Sequence, residues 1–174
     1  LNILPLWFLF SSCPPVCENV QGELSMKTAI IYYSKHHENT RKLLDAIKKA
    51  SDDEITLFDV TKTDTVNLEE YDLIGFASGI YYSKFEKRVL KFAKDYTPDG
   101  KDVFFIYTFG AEKAGYTKAI REALSGTNAN ILGEYGCFGF NTFGPFKLIG
   151  GIAKNHPDQT DIKNAISFYK NLHK

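Results

Sequence analysis

The sequence has little cysteine, and this limits the kinds of site it can build. Its 174 residues include three cysteines, Cys13, Cys17 and Cys137, and only Cys137 lies in the segment that has the pattern of a folded domain. Three thiols spaced in this way indicate neither a disulfide framework nor a metal cluster, and they favour a reducing compartment such as the cytoplasm. We therefore predict no metal site.

The chain also lacks an excess of charge of either sign. Its 21 basic and 21 acidic side chains cancel. Glu18 and Glu23 are the only charged residues before Met26, so the remainder carries 21 basic against 19 acidic groups, a net charge of +2. Such a balance does not steer a protein toward nucleic acid or an anionic membrane. We expect neither as a partner.

No apolar stretch at the start of the chain is long enough to cross a bilayer. Leu1–Phe10 is apolar, but a membrane-spanning helix needs roughly 20 such residues, and the segment contains no Lys or Arg that could form the n-region of a secretory leader. We interpret residues 1–25 as a leader or an upstream extension translated from a misplaced start, and residues 26–174 as one domain beginning at Met26. An intact mass of the natively expressed protein that included residues 1–25 would contradict the misplaced start.

The most informative stretch runs from Lys27 to Ala50. Its first part, Ala29–Tyr33, is a near-continuous apolar run typical of a strand buried on both faces, and its last part has apolar residues at helical spacing. The turn between them contains Ser34, Asn39 and Thr40. The free N–H groups of a helix N-terminus, together with hydroxyls, can hold a phosphate without any Lys or Arg. The alternative is an ordinary helix cap that binds no ligand.

Similar units follow along the chain. Strands that alternate with helices at this spacing indicate a parallel sheet covered by helices on both faces, a three-layer doubly wound α/β fold. The predicted strands are Ala29–Tyr33, Glu54–Val60, Asp72–Ser78, Val103–Thr108 and Asn130–Phe138, and the later helical patterns cover Phe85–Tyr96, Tyr116–Leu124 and Gln159–Leu172.

Ligands of such sheets bind in a crevice at the carboxyl ends of the strands. The loops that follow the strands are therefore the candidate binding segments, and all four hold the Gly, Ser, Thr, Asn and Tyr expected next to a ligand. They are Ser34–Thr40, Ser78–Lys84, Thr108–Gly115 and Gly139–Pro157.

Two other classes with a related topology do not fit the first loop. A response-regulator receiver domain needs acidic residues at the end of the first strand to hold Mg²⁺, whereas this chain has Ser34 and Lys35 there. A dinucleotide-binding Rossmann domain needs a glycine-rich turn, and Ser34–Thr40 contains no glycine.

From Met26 onward the chain resembles the flavodoxin-like flavoproteins. Ser34–Thr40 is similar to the family's phosphate loop, Ser78–Tyr82 to the loop that runs along the isoalloxazine ring, and Thr108–Gly110 to the third flavin loop. The resemblance implies a flavodoxin-like three-layer α/β/α sandwich, a five-stranded parallel sheet of order 2-1-3-4-5, and FMN as cofactor. It implies these cofactor-binding residues: Ser34, Lys35, His36, His37, Asn39, Thr40, Ser78, Gly79, Ile80, Tyr81, Tyr82, Thr108, Phe109 and Gly110.

The phosphate loop departs from the family pattern at one position. The usual glycine is replaced by Glu38, and a carboxylate beside a bound phosphate is unfavourable unless it points to solvent. His36 and His37 are interpreted as loop residues rather than catalytic or metal-binding groups, since no carboxylate cluster accompanies them. Tyr81 or Tyr82 is the candidate for stacking on the flavin.

The segment Gly139–Pro157 is similar to one found in a bacterial subgroup of the family. Loops of this length usually have a function or are disordered, and we expect it to cover the flavin ring or to recognise a partner. The flavin would supply the redox chemistry, so no catalytic residue is assigned. We predict an electron carrier with a redox partner protein; the alternatives are an FMN-dependent oxidoreductase acting on a small molecule such as a quinone or protoporphyrinogen, and a flavin-free binding module. The oligomeric state stays open.

Overall fold

The structure of this chain, a computed structural model, describes residues 25–172, and of Pro145 the main chain alone. The predicted leader or upstream extension, residues 1–25, lies outside the described residues apart from Ser25. So do Cys13 and Cys17, and the division of the chain at Met26 stays a prediction.

Five parallel strands form one sheet of order β2-β1-β3-β4-β5. The predicted strand order is therefore confirmed. Tyr33 lies opposite Ser78, Gly79 opposite Thr108, and Thr108 opposite Cys137. The carboxyl ends of the central strands thus meet at one edge of the sheet. The strands are β1 (Lys27–Tyr33), β2 (Glu54–Asp59), β3 (Leu73–Gly79), β4 (Asp102–Phe109) and β5 (Asn130–Phe138).

Helices cover both faces of the sheet, so the predicted three layers are also confirmed. They are α1 (Asn39–Ala50), α2 (Lys87–Tyr96), α3 (Lys118–Ala123) and α4 (Gln159–Asn171), with a short 3-10 helix at Gly144–Lys147. The helix predicted to begin at Phe85 begins two residues later because the Glu86 side chain accepts a hydrogen bond from the main-chain N–H of Arg88 at 2.7 Å and caps α2.

Two apolar layers hold the sandwich together. Successive residues of β1 alternate between them: Ile30 packs with α1 and α4, and Ile31 packs with α2 and α3. Both side chains are fully buried. Because both faces of the strand are covered, successive residues of its sequence are apolar. Within residues 25–172, no helix combines the length and hydropathy needed to span a bilayer.

The segment after β5 returns close to its own start before α4 begins. Asn141 and Ile152 pair their main chains in both directions at 3.0 and 2.9 Å. The residues between them, 142–151, therefore form a closed loop that projects from the edge where the central strands end. We call residues 141–152 the β5 loop.

Candidate functional site

A cleft with a cavity volume of about 260 Å³ lies at the carboxyl ends of the strands. All four loops predicted to surround a ligand contribute to it, as expected for the switch point of a doubly wound sheet. Its lining residues are Ser34, Lys35, His36, Asn39, Thr40, Gly79, Ile80, Tyr81, Tyr82, Thr108, Phe109, Gly110, Gly139, Phe140, Asn141 and Phe143.

The first loop reaches helix α1 through two left-handed residues. His37 has φ 53° and Glu38, the residue before the helix, has φ 55°. Glu38 makes no side-chain cap; instead the Ser34 hydroxyl accepts a hydrogen bond from the main-chain N–H of Arg41 at 3.1 Å. Ser34 therefore satisfies one donor of the first turn, while Asn39 and Thr40 are the first two residues of the helix and face the cleft.

Asn39 lies at the floor of the cleft with 6% of its surface exposed. Its Nδ2 donates to the main-chain carbonyl of Phe140 at 2.8 Å. Its Oδ1 is buried and has no hydrogen-bond partner among the described residues. A buried acceptor without a donor costs about 1–3 kcal/mol, so the floor of the cleft includes an acceptor whose hydrogen-bonding capacity is unused.

Two hydroxyls lie side by side on the same floor. Thr40 and Thr108 are 1% and 5% exposed, and their Oγ1 atoms are 3.0 Å apart. Because one hydrogen bond between two hydroxyls uses only one hydrogen, the second hydrogen stays available for a ligand.

Aromatic side chains form the walls. Tyr81 packs edge-on against Tyr33, with ring centroids 5.6 Å apart, and its hydroxyl faces the main chain of Lys35 and His36. Burial raises the pKa of Tyr81 to about 12, so it is neutral at ordinary pH. Tyr82 is 85% exposed and meets Phe143 at a centroid distance of 6.2 Å. Of the two predicted stacking candidates, Tyr81 lies inside the cleft and Tyr82 at its mouth.

The tandem histidines take different positions. His36 lines the cleft between Tyr81 and Phe143. Its pKa is lowered, mainly because burial disfavours the imidazolium and further because His37 and Lys35 would repel the charge. His37 lies outside the lining residues; its ring packs against Phe140 in a tilted arrangement with centroids 4.2 Å apart, and its Nε2 is 3.0 Å from the Thr142 hydroxyl. His37 therefore supports the β5 loop.

Twelve of the fourteen predicted cofactor-binding residues line the cleft. Besides His37, the exception is Ser78, which is fully buried. The Ser78 hydroxyl donates to the carbonyl of Gly79 at 2.6 Å and accepts from the N–H of Glu86 at 3.1 Å. It therefore fixes the turn that carries Tyr81 and Tyr82. The cofactor-binding role of all fourteen stays a prediction.

Glu38, the residue that departs from the family pattern, is directed away from this cleft. It is exposed and borders an adjoining polar depression, which shares Ser34 and Lys35 with the cleft and also includes Arg41. The carboxylate therefore lies outside the residues that line the main cleft.

Four cleft residues were absent from the predicted set: Gly139, Phe140, Asn141 and Phe143. All belong to Gly139–Pro157, which we predicted to emerge at this edge of the sheet and to cover the flavin ring or recognise a partner, without assigning individual residues to the site. Gly110 and Asn141 approach so closely that a Cβ on Gly110 would overlap the Asn141 side-chain amide. The absence of a side chain at Gly110, directly after β4, therefore leaves room for Asn141 in the loop after β5. The spacing of residues in the sequence does not reveal this contact.

Comparison with known proteins identifies the family of this chain. The model of the flavodoxin domain family matches residues 30–139. The chain belongs to the flavodoxin family. The matched residues of this flavodoxin-family chain extend from β1 to the residue after β5, and they include all three loops predicted to contact the flavin.

A relative of this flavodoxin-family chain occurs in Methanocaldococcus jannaschii. It is an uncharacterized protein, 40% identical over 149 residues, and the match covers 84% of this chain and 98% of the relative. The shared region is therefore nearly the whole relative.

Solved flavodoxin structures share the fold at low sequence identity. Flavodoxin 2 from Bacillus cereus has a TM-score of 0.62 at 17% identity, covering 84% of this chain and 97% of its own. A flavodoxin variant from Fusobacterium nucleatum, bound to flavin mononucleotide, has a TM-score of 0.60 at 16% identity, covering 86% and 96%. At such identities the likeness establishes the fold alone.

Proposed function

We propose that this chain binds FMN in the cleft at the carboxyl ends of the strands and acts in electron transfer. The observation that carries the proposal is the buried, unpaired Oδ1 of Asn39, which lies on the floor of a cleft walled by aromatic side chains. FMN has an anionic phosphate, a ribityl chain with hydroxyl donors, and a flat ring. The start of α1 suits the phosphate, the polar floor suits the ribityl hydroxyls, and the aromatic walls suit the ring.

The phosphate would bind at the start of α1. The first N–H groups of a helix have no partner within the helix, and the positive end of the helix dipole favours an anion. Ser34 and Thr40 add hydroxyls there, and Lys35 is the one lysine among the lining residues. Glu38 borders the adjoining depression and lies outside the residues that line the cleft.

The ribityl chain accounts for the unpaired acceptor. A phosphate dianion has no hydrogen to donate, whereas each ribityl hydroxyl has one. Asn39 Oδ1 therefore fits a sugar-alcohol hydroxyl better than it fits the phosphate, and the free hydrogen of the Thr40–Thr108 pair provides a donor beside it.

The ring would lie between the aromatic walls. Tyr81 and Phe109 come from the second and third loops, and Phe143 comes from the β5 loop. Bound FMN supplies the redox chemistry; the chain's own residues bind it, orient it and limit the access of water. A carrier needs no general acid or base, and the neutral Tyr81 hydroxyl is suited only to hydrogen bonding at ordinary pH.

Calorimetry with FMN and with riboflavin tests the proposal. We expect FMN to bind with a well-defined heat and riboflavin, which lacks the phosphate, to bind more weakly. A reductive titration of the loaded protein then shows whether the electrons enter in one step or two. Folded protein that takes up neither ligand would contradict the proposal and leave the flavin-free module as the function; rapid turnover of a quinone or porphyrinogen would favour the oxidoreductase. The reducing cytoplasmic setting stays a prediction from the cysteine pattern.

A further inference from the structure

The mouth of the cleft has an exposed apolar surface. Six large apolar side chains are prominently exposed among the described residues, and four of them belong to the second loop and the β5 loop. We call these four the apolar rim: Tyr82 (85% exposed), Phe143 (56%), Leu148 (90%) and Ile149 (68%). Exposed apolar side chains grouped at one place on a soluble domain mark an interaction site.

Half of the apolar rim belongs to the cleft itself. Tyr82 and Phe143 line the cleft and contact each other, and Leu148 and Ile149 follow the 3-10 helix in the same loop. A partner seated on the rim would therefore contact the walls of the proposed flavin site. The rim is in the position that electron exchange requires.

Five exposed lysines surround the apolar rim, and we call them the rim lysines. Lys35 lines the cleft, Lys84 pairs its main chain with Tyr81, and the Lys113 Nζ is 3.4 Å from the Ser83 hydroxyl. Lys147 precedes Leu148, and Lys154 extends toward Gly150. Within residues 25–172, none of them forms an ion pair with a carboxylate.

The four loops hold two acidic residues against the five rim lysines. Glu38 borders the adjoining depression, and Glu112 is exposed beside Lys113. Five lysines against two carboxylates give these loops a net charge of +3, although the folded domain has a net charge of only +2. An apolar centre surrounded by charged residues is typical of a protein–protein interface, and the sign of the surrounding charges favours a partner of opposite charge.

We propose that the apolar rim and the rim lysines form the docking surface for a small acidic electron-transfer protein, of the chemical class of acidic iron–sulfur ferredoxins. This inference rests on the proposed function, since it assigns a partner to the same cleft. A protein partner is favoured over an anionic membrane because two rim residues, Tyr82 and Phe143, are walls of a concave cleft, which a protruding protein surface can enter and a flat bilayer surface cannot.

Binding of a plant-type acidic [2Fe–2S] ferredoxin to the FMN-loaded chain tests the proposal. We expect complex formation at low ionic strength and an affinity that falls at least tenfold as salt screens the charges. Cytochrome c, a basic redox protein, serves as the opposite probe and should not bind. If the ferredoxin does not bind, or if its affinity does not change with the salt concentration, the proposal is wrong.

Matched variants locate the surface. Lys147→Gln and Lys154→Gln should each weaken ferredoxin binding about threefold, as expected for an exposed charge at an interface border, and Leu148→Ser about tenfold. Lys49→Gln is the charge control, because Lys49 is exposed on α1 about 15 Å along the helix from the cleft edge. Leu132→Ser, on β5, is the apolar control. Equal effects of rim and control variants would place docking elsewhere.

Two further measurements separate the outcomes. The FMN affinity of every variant tests the proposed function independently. If the chain binds ferredoxin but takes up no FMN, the proposed redox role is wrong and the proposed docking surface is still supported. Co-sedimentation with vesicles of phosphatidylcholine and phosphatidylglycerol tests the membrane. Vesicle binding that is lost in Leu148→Ser, without ferredoxin binding, would overturn the proposed partner.

Discussion

The Asn39 side chain donates a hydrogen bond to the main-chain carbonyl of Phe140 at 2.8 Å and so joins the start of α1 to the segment after β5. These residues are 101 positions apart in sequence. The bond lies beneath the proposed flavin site, so the same side chain stabilises the floor and holds the acceptor that we propose for the ligand.

Replacement of Asn39 tests both roles. Asn39→Ala leaves the Phe140 carbonyl without its donor, and we expect a loss of about 1 kcal/mol in the free energy of unfolding, together with about tenfold weaker FMN binding. Urea unfolding and calorimetry measure the two effects. Thr97→Val is the control, because the Thr97 hydroxyl is buried without a partner among the described residues and its removal should not destabilise the fold. Unchanged FMN affinity in Asn39→Ala would show that Asn39 Oδ1 does not contribute to FMN binding.

The left-handed backbone at Glu38 predicts a gain from glycine. Its φ of 55° is unfavourable for a residue with a Cβ. Glycine adopts this φ freely, although glycine also raises the conformational entropy of the unfolded chain and so offsets part of the gain. Glu38→Gly should stabilise the protein by roughly 0.5–1 kcal/mol. Thermal or urea unfolding measures this gain. Glu38→Gln keeps the Cβ and removes only the charge, so a similar gain in that variant would assign the effect to electrostatics.

The β5 loop depends on a close approach at Gly151. Its φ is 90°, and a Cβ there would overlap the Phe140 ring and lie 2.9 Å from Thr142 Cγ2. Gly151→Ala should cost about 2 kcal/mol or more through overpacking and backbone strain, and FMN binding should weaken because Phe140 lines the cleft.

Gly144→Ala provides the control for this prediction. Gly144 also has a positive φ, 62°, but a Cβ there would meet nothing within 4 Å. This variant should show only the backbone cost, about 1 kcal/mol. Urea unfolding and limited proteolysis of the loop compare the two, and equal losses would mean that the contact with Phe140 contributes nothing.

The lowered pKa of His36 predicts a pH dependence. Because folding disfavours the imidazolium in the cleft, the unfolded chain binds more protons than the folded chain between the lowered pKa and the ordinary value of about 6.5. His36 therefore contributes stability above the ordinary pKa, and this contribution is lost as the pH falls toward the lowered one. Unfolding free energies measured from pH 7.5 to 5 should decline less steeply in His36→Gln. An identical slope in both proteins would show that the cleft does not perturb this histidine.

The fold followed directly from the sequence because its signals are local. The apolar run Ala29–Tyr33 and the helical spacing after Thr40 each depend on one element, and alternation of such elements leaves few topologies. The predicted fifth strand, Asn130–Phe138, has the bounds found in the structure. The start of α2 was not predicted correctly, since the cap at Glu86 depends on the direction that its side chain takes.

The site was less accessible to sequence reasoning. Loops at the ends of β1, β3 and β4 could be placed at one edge, but the orientation of a side chain within a loop is decided by distant contacts. His37 is directed to Phe140 and Thr142 instead of the cleft, and Phe143 enters it because Asn141 and Ile152 close the loop. Neither contact leaves a periodic signal along the chain.

The hydroxyls of Thr40 and Thr108 act as a reversible pair. Either can donate to the other across 3.0 Å, so rotation of two O–H bonds moves the spare hydrogen from helix α1 to strand β4 without displacing a heavy atom. The floor of the cleft can thus turn its donor toward either of two directions while its heavy atoms stay in place.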